Sequence, residues 1–195
     1  MQKPATTSHP ITEWQRQRWS PTVFEDRPLL GPHLDSLFEA ARWSASCFNE
    51  QPWNFVLASR HQDPGAFAAL LSCLSPGNQA WVKNAPLLMF SVAKRNFDKT
   101  GQPNRYAWYD CGQAVAHLSI EAQSLGIMLH QMAGFDAALA TAAMKLPETH
   151  EPVSAIALGY EIEEAKIPAD AMAKEKTPRA RKPTGSFVFK NTFGA

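Results

Sequence analysis

The chain has 195 residues, 45% of them hydrophobic, and its 19 basic against 18 acidic side chains leave a net charge of +1. Such a length suits one domain, residues 1–195, with a substantial core, and so even a balance lacks the basic excess on which nucleic-acid binding depends. No apolar run approaches the ~18 residues of a membrane helix, "MQKPATTSHPITEWQ" has no signal-peptide core, and three scattered cysteines, Cys47, Cys73 and Cys111, suit a reducing cytoplasm better than a disulfide framework or zinc knuckle.

Residues 1–10 read as a loose arm. Thr12, with Gln15 three positions on, has the spacing of a capping box and predicts a short helix ending near Arg18. Three prolines make "WSPTVFEDRPLLGP" an extended connection. Leu34, Leu37, Phe38 and Ala41 recur at helical spacing and predict an amphipathic helix over 33–43. "WNFVLAS" reads as a strand, and Asp63-Pro64 as the cap and first turn of a helix reaching about Leu74. "SPGNQAWVKNA" is a loop entering a short helix, and "PLLMFSVA" a buried strand. The longest predicted helix runs from about Asn104 to Leu125. Trp108, Cys111, Val115, Leu118, Ala122 and Leu125 form a heptad-like seam along it, and Gly126 stands where a glycine would stop it. "IMLHQMAG" is a short extended piece, Asp136 caps a helix ending near Leu146, and "VSAIALGY" is another strand. Residues 161–185 are charged and proline-rich without periodicity, and "SFVFK" is a candidate last strand.

No strand is followed by a glycine-rich phosphate loop, and HExxH and GxSxG are absent. His117 and Glu121 lie four apart, but two ligands make no metal site. The junction "SASCFNEQPW" (44–53) is different. It packs hydroxyl, thiol and amide groups between a helix and a strand, where they cap a turn or face a flat polar heterocycle. Arg18 and Ser20 near the front and Arg179, Arg181 and Lys182 near the back are either solvated ends or guanidinium forks for a phosphomonoester. Asn78-Gln79 offers a second amide pair.

In combination these blocks resemble the nitroreductase family of FMN flavoproteins. "RWSPTVF" is similar to its opening phosphate motif and "SASCFNEQPWNFVL" to its Ser-Pro-Ser-Ser-x-Asn-x-Gln-Pro-Trp block. "GNQAWVKNAPLLMF" and "YDCGQAVAHLSIEAQSLGIMLHQMAGFD" are similar to its middle blocks, and "RARKPTGSFVF" to its basic closing segment. The likeness spans residues 13–194.

The resemblance implies an α+β fold, a mixed, mainly antiparallel sheet wrapped by helices, dimerising through its long central helix. It implies that Arg18, Ser20, Arg179 and Arg181 hold the FMN phosphate and ribityl end, and that Asn78 meets the pyrimidine edge. Ala45, Ser46, Cys47 and Asn49 would approach the flavin, the first three from the partner subunit, while the backbone of Gln131, Met132 and Ala133 passes along the ring. The implied activity is hydride transfer from NADH or NADPH to an electron-poor small molecule by a ping-pong route, with no catalytic side chain and no metal. A flavin sensor without turnover, or a dehalogenase- or enoate-type reductase with a lid over "KRNFDKTGQPNRYAW", are the alternatives. Thr22 stands where the family usually has Arg or Lys and Trp81 where some of its branches place a lysine, which removes two candidate cations from the flavin's surroundings unless Lys83 substitutes.

Overall fold

The computed structural model describes residues 1–194. Four strands, β1 (Trp53–Ser59), β2 (Leu87–Lys94), β3 (Ile127–Met132) and β4 (His150–Tyr160), form one sheet in the order β1-β2-β4-β3. Every pairing in it is antiparallel. The expected α+β architecture is met, because helices cover both faces. On one face Leu88, Phe90 and Val92 of β2, with Ala155 and Ala157 of β4, pack under α3 (Pro64–Ser72), α4 (Pro76–Val82) and α6 (Ala137–Ala143). On the other, Leu87, Met89, Ile156 and Leu158 pack under α2 (Gly31–Arg42) and α5 (Ala107–Ser124). Alternation along β2 therefore feeds two cores, which is why its run is apolar without a break.

Chain punctuation works as read at several points. Gly126 follows α5 with φ +68°, the left-handed stop that glycine adopts without strain. Asp136 accepts from the backbone N–H groups of Ala138 and Leu139 at 2.8 and 2.9 Å and so opens α6. Other signals act differently. Thr12 Oγ1 donates to the Gln15 side chain at 3.1 Å instead of capping α1 (Glu13–Gln17) through the backbone. Asp63 makes no side-chain cap, and Pro64 alone sets the first turn of α3.

Four expectations are corrected. The arm is not loose: Ala5 N donates to Arg16 O at 2.7 Å, Lys3 Nζ to Glu175 O at 2.5 Å, and Arg179 Nη1 to Lys3 O at 2.7 Å. The segment 161–185 contains a helix, α7 (Ala169–Glu175), too short to show periodicity but with Glu175 buried. "SFVFK" forms no strand, because a strand needs a ladder and this segment meets no free edge within the chain; Phe187 and Val188 are each 60% exposed. The seam on α5 also turns inward. Cys111, Val115, Leu118 and Ala122 lie in this chain's own core, while Trp108 leaves the seam and bonds Glu151. The outward face of α5 carries Tyr109, Gly112, Ala116 and Ile120.

Candidate functional site

The two ends of the chain meet beside β3. Arg18, just after α1, reaches Ser20 Oγ at 3.5 Å, and Arg179 and Arg181, just after α7, lie close enough to Arg18 to repel its charge. Burial, helped by these two like charges, pushes the Arg18 guanidinium below its ordinary pKa; burial and Arg181 do the same to Arg179. None of the ion pairs among the described residues includes any of the three. Three guanidiniums held together without a carboxylate are costly unless an anion completes them, and their forks suit the oxygens of a phosphomonoester. By that measure the residues present fit the phosphate end of FMN.

The next stretch of the site is the exposed edge strand β3. His130 Nδ1 donates to the Pro21 carbonyl at 2.8 Å, which draws residues 18–22 along that edge. On its other side Trp81 of α4 packs 4.8 Å from the imidazole, ring centroid to centroid. One turn earlier on α4, Asn78 Nδ2 donates to Gly134 O at 3.0 Å. A Cβ at Gly134 would lie 2.7 Å from Asn78 Nδ2 and 2.9 Å from Ser75 Oγ, so any larger residue there has to displace these two side-chain ends. Asn78 thus sits next to the end of β3, with one N–H of its amide engaged by Gly134 and Oδ1 free to accept. Gln131 and Ala133 are exposed and Met132 is buried.

The junction of residues 44–53 is not brought to this place. It leads into β1, the opposite edge of the sheet, three strand spacings or about 14 Å from β3. Cys47 N donates to Asp110 Oδ2 at 3.0 Å and Gln51 N to Ser46 Oγ at 3.0 Å, so Ser46 and Asp110 hold the turn. Phe48, Asn49 and Gln51 have φ of 54°, 58° and 52°, a left-handed run that leaves Phe48 90% exposed. Phe48 stands edge-on to Phe97, 6.0 Å away. Ala45 and Asn49 are therefore exposed and Ser46 and Cys47 half-buried, at the edge of the sheet opposite to the one that carries Asn78 and β3. The segment 94–108 turns on itself, Phe97 N donating to Gln102 O at 2.9 Å and Asn96 Nδ2 to Gly101 O at 2.8 Å, and meets the junction through Phe97 and through Asp98 N, which donates to Glu50 Oε1.

The two departures have structural roles. Thr22 is buried, with N and Oγ1 donating to Glu175 Oε1 at 3.0 and 2.5 Å. Trp81 lines a cavity of about 390 Å³ with Thr22, Phe24, Arg60, Asn84 and Lys166, apart from the arginine cluster. Lys174 Nζ lies 5.8 Å over the Trp81 ring. Sequence reasoning missed His130 and Glu175. The signal for Glu175 was a carboxylate at helical spacing from Ala171 and Met172, on the side of α7 that turns inward.

A family model described as the nitroreductase family matches residues 16–160. The chain is 30% identical over 146 residues to an uncharacterized 15.4 kDa protein in the ask 5'region of Mycolicibacterium smegmatis, covering 72% of this chain and 97% of that one. Among solved structures it is similar to an oxidoreductase containing FMN, with 27% identity and a TM-score of 0.87 over 96% of this chain and 95% of that one. A nitroreductase family protein from Streptococcus pneumoniae TIGR4, 18% identical, superposes with a TM-score of 0.73 over 91% and 98% of the two chains.

Proposed function

The chain belongs to the nitroreductase family, and on that premise we propose that it is an FMN-dependent oxidoreductase working as a homodimer. One observation carries the reading: Arg18, bonded to Ser20 Oγ at 3.5 Å, lies within charge range of Arg179 and Arg181, and none of the three takes part in an ion pair among the described residues. These four residues would hold the phosphate and ribityl end. Asn78 Oδ1 would meet the pyrimidine edge, and the backbone of Gln131, Met132 and Ala133 would flank the ring. FMN held by these residues would supply hydride chemistry between NADH or NADPH and an electron-poor acceptor such as a nitroaromatic or quinone.

The partner subunit would supply the remaining wall. Ala45, Ser46, Cys47 and Asn49 lie at the edge of the sheet opposite to β3, and a second copy would bring the first three to the flavin. The outward face of α5, with small Gly112 and Ala116 between Tyr109 and Ile120, lets a second helix approach closely. Trp43, Phe48 and Tyr109 are exposed by 72%, 90% and 68%, and Cys47 N, next to Phe48, donates to Asp110 in the first turn of α5. No side chain is assigned as acid or base, and solvent delivers protons. Among the described residues no helix is long and apolar enough to cross a membrane, and three free thiols suit a cytoplasmic setting.

A flavin-binding module without turnover is the second reading. Thr22 engaged by Glu175 and Trp81 packed on His130 favour it, since neither position offers the reduced flavin a cation. The test starts with the purified chain, which is expected to be yellow and to release FMN on denaturation. A chain that stays colourless after incubation with FMN, or that releases FAD alone, refutes the proposal. Bleaching of the bound flavin by NADH or NADPH without air, and reoxidation by a nitroaromatic, separates the enzyme from the silent module.

A further inference from the structure

Glu175 is 2% exposed, and only one of its carboxyl oxygens has work in the site described. Oε1 accepts from both N and Oγ1 of Thr22; Oε2 is buried with no partner among the described residues. Burying a carboxyl with half its acceptor capacity unused is unfavourable, and pure packing would be served better by an apolar residue at the end of α7. The bonds it does make explain it. Thr22 follows Arg18 and Ser20 by a few residues, and Arg179 and Arg181 follow Glu175 by four and six. One contact therefore ties together the two segments whose guanidiniums converge.

The N-terminal arm closes the same knot. Lys3 Nζ donates to the Glu175 carbonyl at 2.5 Å, while Arg179 donates back to Lys3 O at 2.7 Å and to Arg16 O at 3.1 Å. Helix α7 has only seven residues, too few to persist in water without such docking. Left to itself, the repulsion among Arg18, Arg179 and Arg181 would drive the closing segment away from β3.

We propose that Glu175 is a positioning residue for the cofactor phosphate: by accepting from Thr22 it docks α7 and holds Arg179 and Arg181 against Arg18. The proposal rests on the flavin reading above. It makes Thr22, where the family places a cation, one half of a clip instead of a phosphate ligand. The carboxyl acts through its hydrogen bonds, and its charge is no part of the function, because a negative charge near a phosphate opposes binding.

The test measures FMN and riboflavin binding to the full-length apoprotein of the wild type, Glu175→Ala and Glu175→Gln by flavin fluorescence. Hydrogen exchange over residues 169–181 is followed in parallel. Glu175→Ala is expected to weaken FMN by about tenfold to a hundredfold, the effect of losing a charge-assisted phosphate contact. Riboflavin, which has no phosphate, should change by less than about twofold, and exchange in 169–181 should rise. Glu175→Gln keeps an acceptor for Thr22 and should bind FMN as well as the wild type or better. Equal losses of FMN and riboflavin in Glu175→Ala, or a Gln variant as weak as the Ala variant, overturn the proposal while leaving the flavin reading intact. A wild-type chain that binds no FMN overturns both.

Discussion

Substituting aspartate at two adjacent positions of α5 separates the core from the proposed subunit seam. Val115 is 2% exposed and packs with Leu37, Met89 and Leu118 under the sheet. An aspartate there has no partner, and burying it costs about 3–5 kcal/mol of a total stability on the order of 5–15 kcal/mol. Val115→Asp should therefore unfold or aggregate whatever the subunit arrangement. Ala116 faces outward on the next position, so Ala116→Asp is tolerated by the isolated chain. Across a two-fold seam, however, it sets two carboxylates face to face. At about 5 Å and an effective dielectric near 20 they repel by about 3 kcal/mol, which weakens dimerisation by about a hundredfold. Sedimentation velocity over a dilution series, far-UV circular dichroism melts and flavin content after gel filtration read the three consequences. The expected Ala116→Asp protein is folded, monomeric at low micromolar concentration and depleted of flavin. An Ala116→Asp protein that dimerises like the wild type and keeps its flavin refutes the assignment of this face and the shared site with it.

Two further outcomes concern the chain alone. His130 is held below the ordinary histidine pKa chiefly by burial, with Lys174 and Arg18 adding to the shift and the Pro21 bond and Glu175 opposing it; burial and Lys94 lower His150. The unfolded chain, with histidines near pKa ~6.5, then takes up protons first, so stability should fall as pH drops through about 6.5 and level off below the folded values. His130→Gln should flatten that slope in urea melts at pH 7.5 and 5.5, and an unchanged slope rules His130 out as a source. Asp136→Ala removes two cap bonds from α6 and should cost about 1 kcal/mol, or roughly 2–4 °C of melting temperature; an unshifted calorimetric transition would show the cap idle.

What was legible in the sequence was what local chemistry decides. The strands from Trp53, Leu87 and Val153 announced themselves by apolar runs, and Gly126 and Asp136 marked helix ends through backbone rules that act over a few residues. Arg18, Arg179 and Arg181 stood out in the sequence as either solvated ends or phosphate-binding forks, and the fold sets them within range of one another's charge. What escaped was decided by long-range contact. A stripe on α5 at heptad spacing does not say whether a sheet or another helix covers it, and here the sheet does. The closing "SFVFK" has strand composition, yet a strand exists only beside another strand. Residues 1–10 were read as a loose arm because nothing local links residue 3 to 175; only the closed fold makes Lys3 and Glu175 partners.

The unpaired arginine cluster has a kinetic consequence. Three like charges at one sheet edge cast a field that reaches about one Debye length, ~10 Å at 0.1 M salt and ~30 Å at 0.01 M. A chain whose overall charge is only +1 still presents a local attractor to small anions. Loading of a phosphorylated ligand should thus be fast in dilute buffer and slow steeply as salt is added, while an uncharged analogue loads at the same rate throughout. Inorganic phosphate or sulfate occupies the same field, so the choice of buffer sets how quickly the empty protein fills and how well its two chain ends stay together before it does.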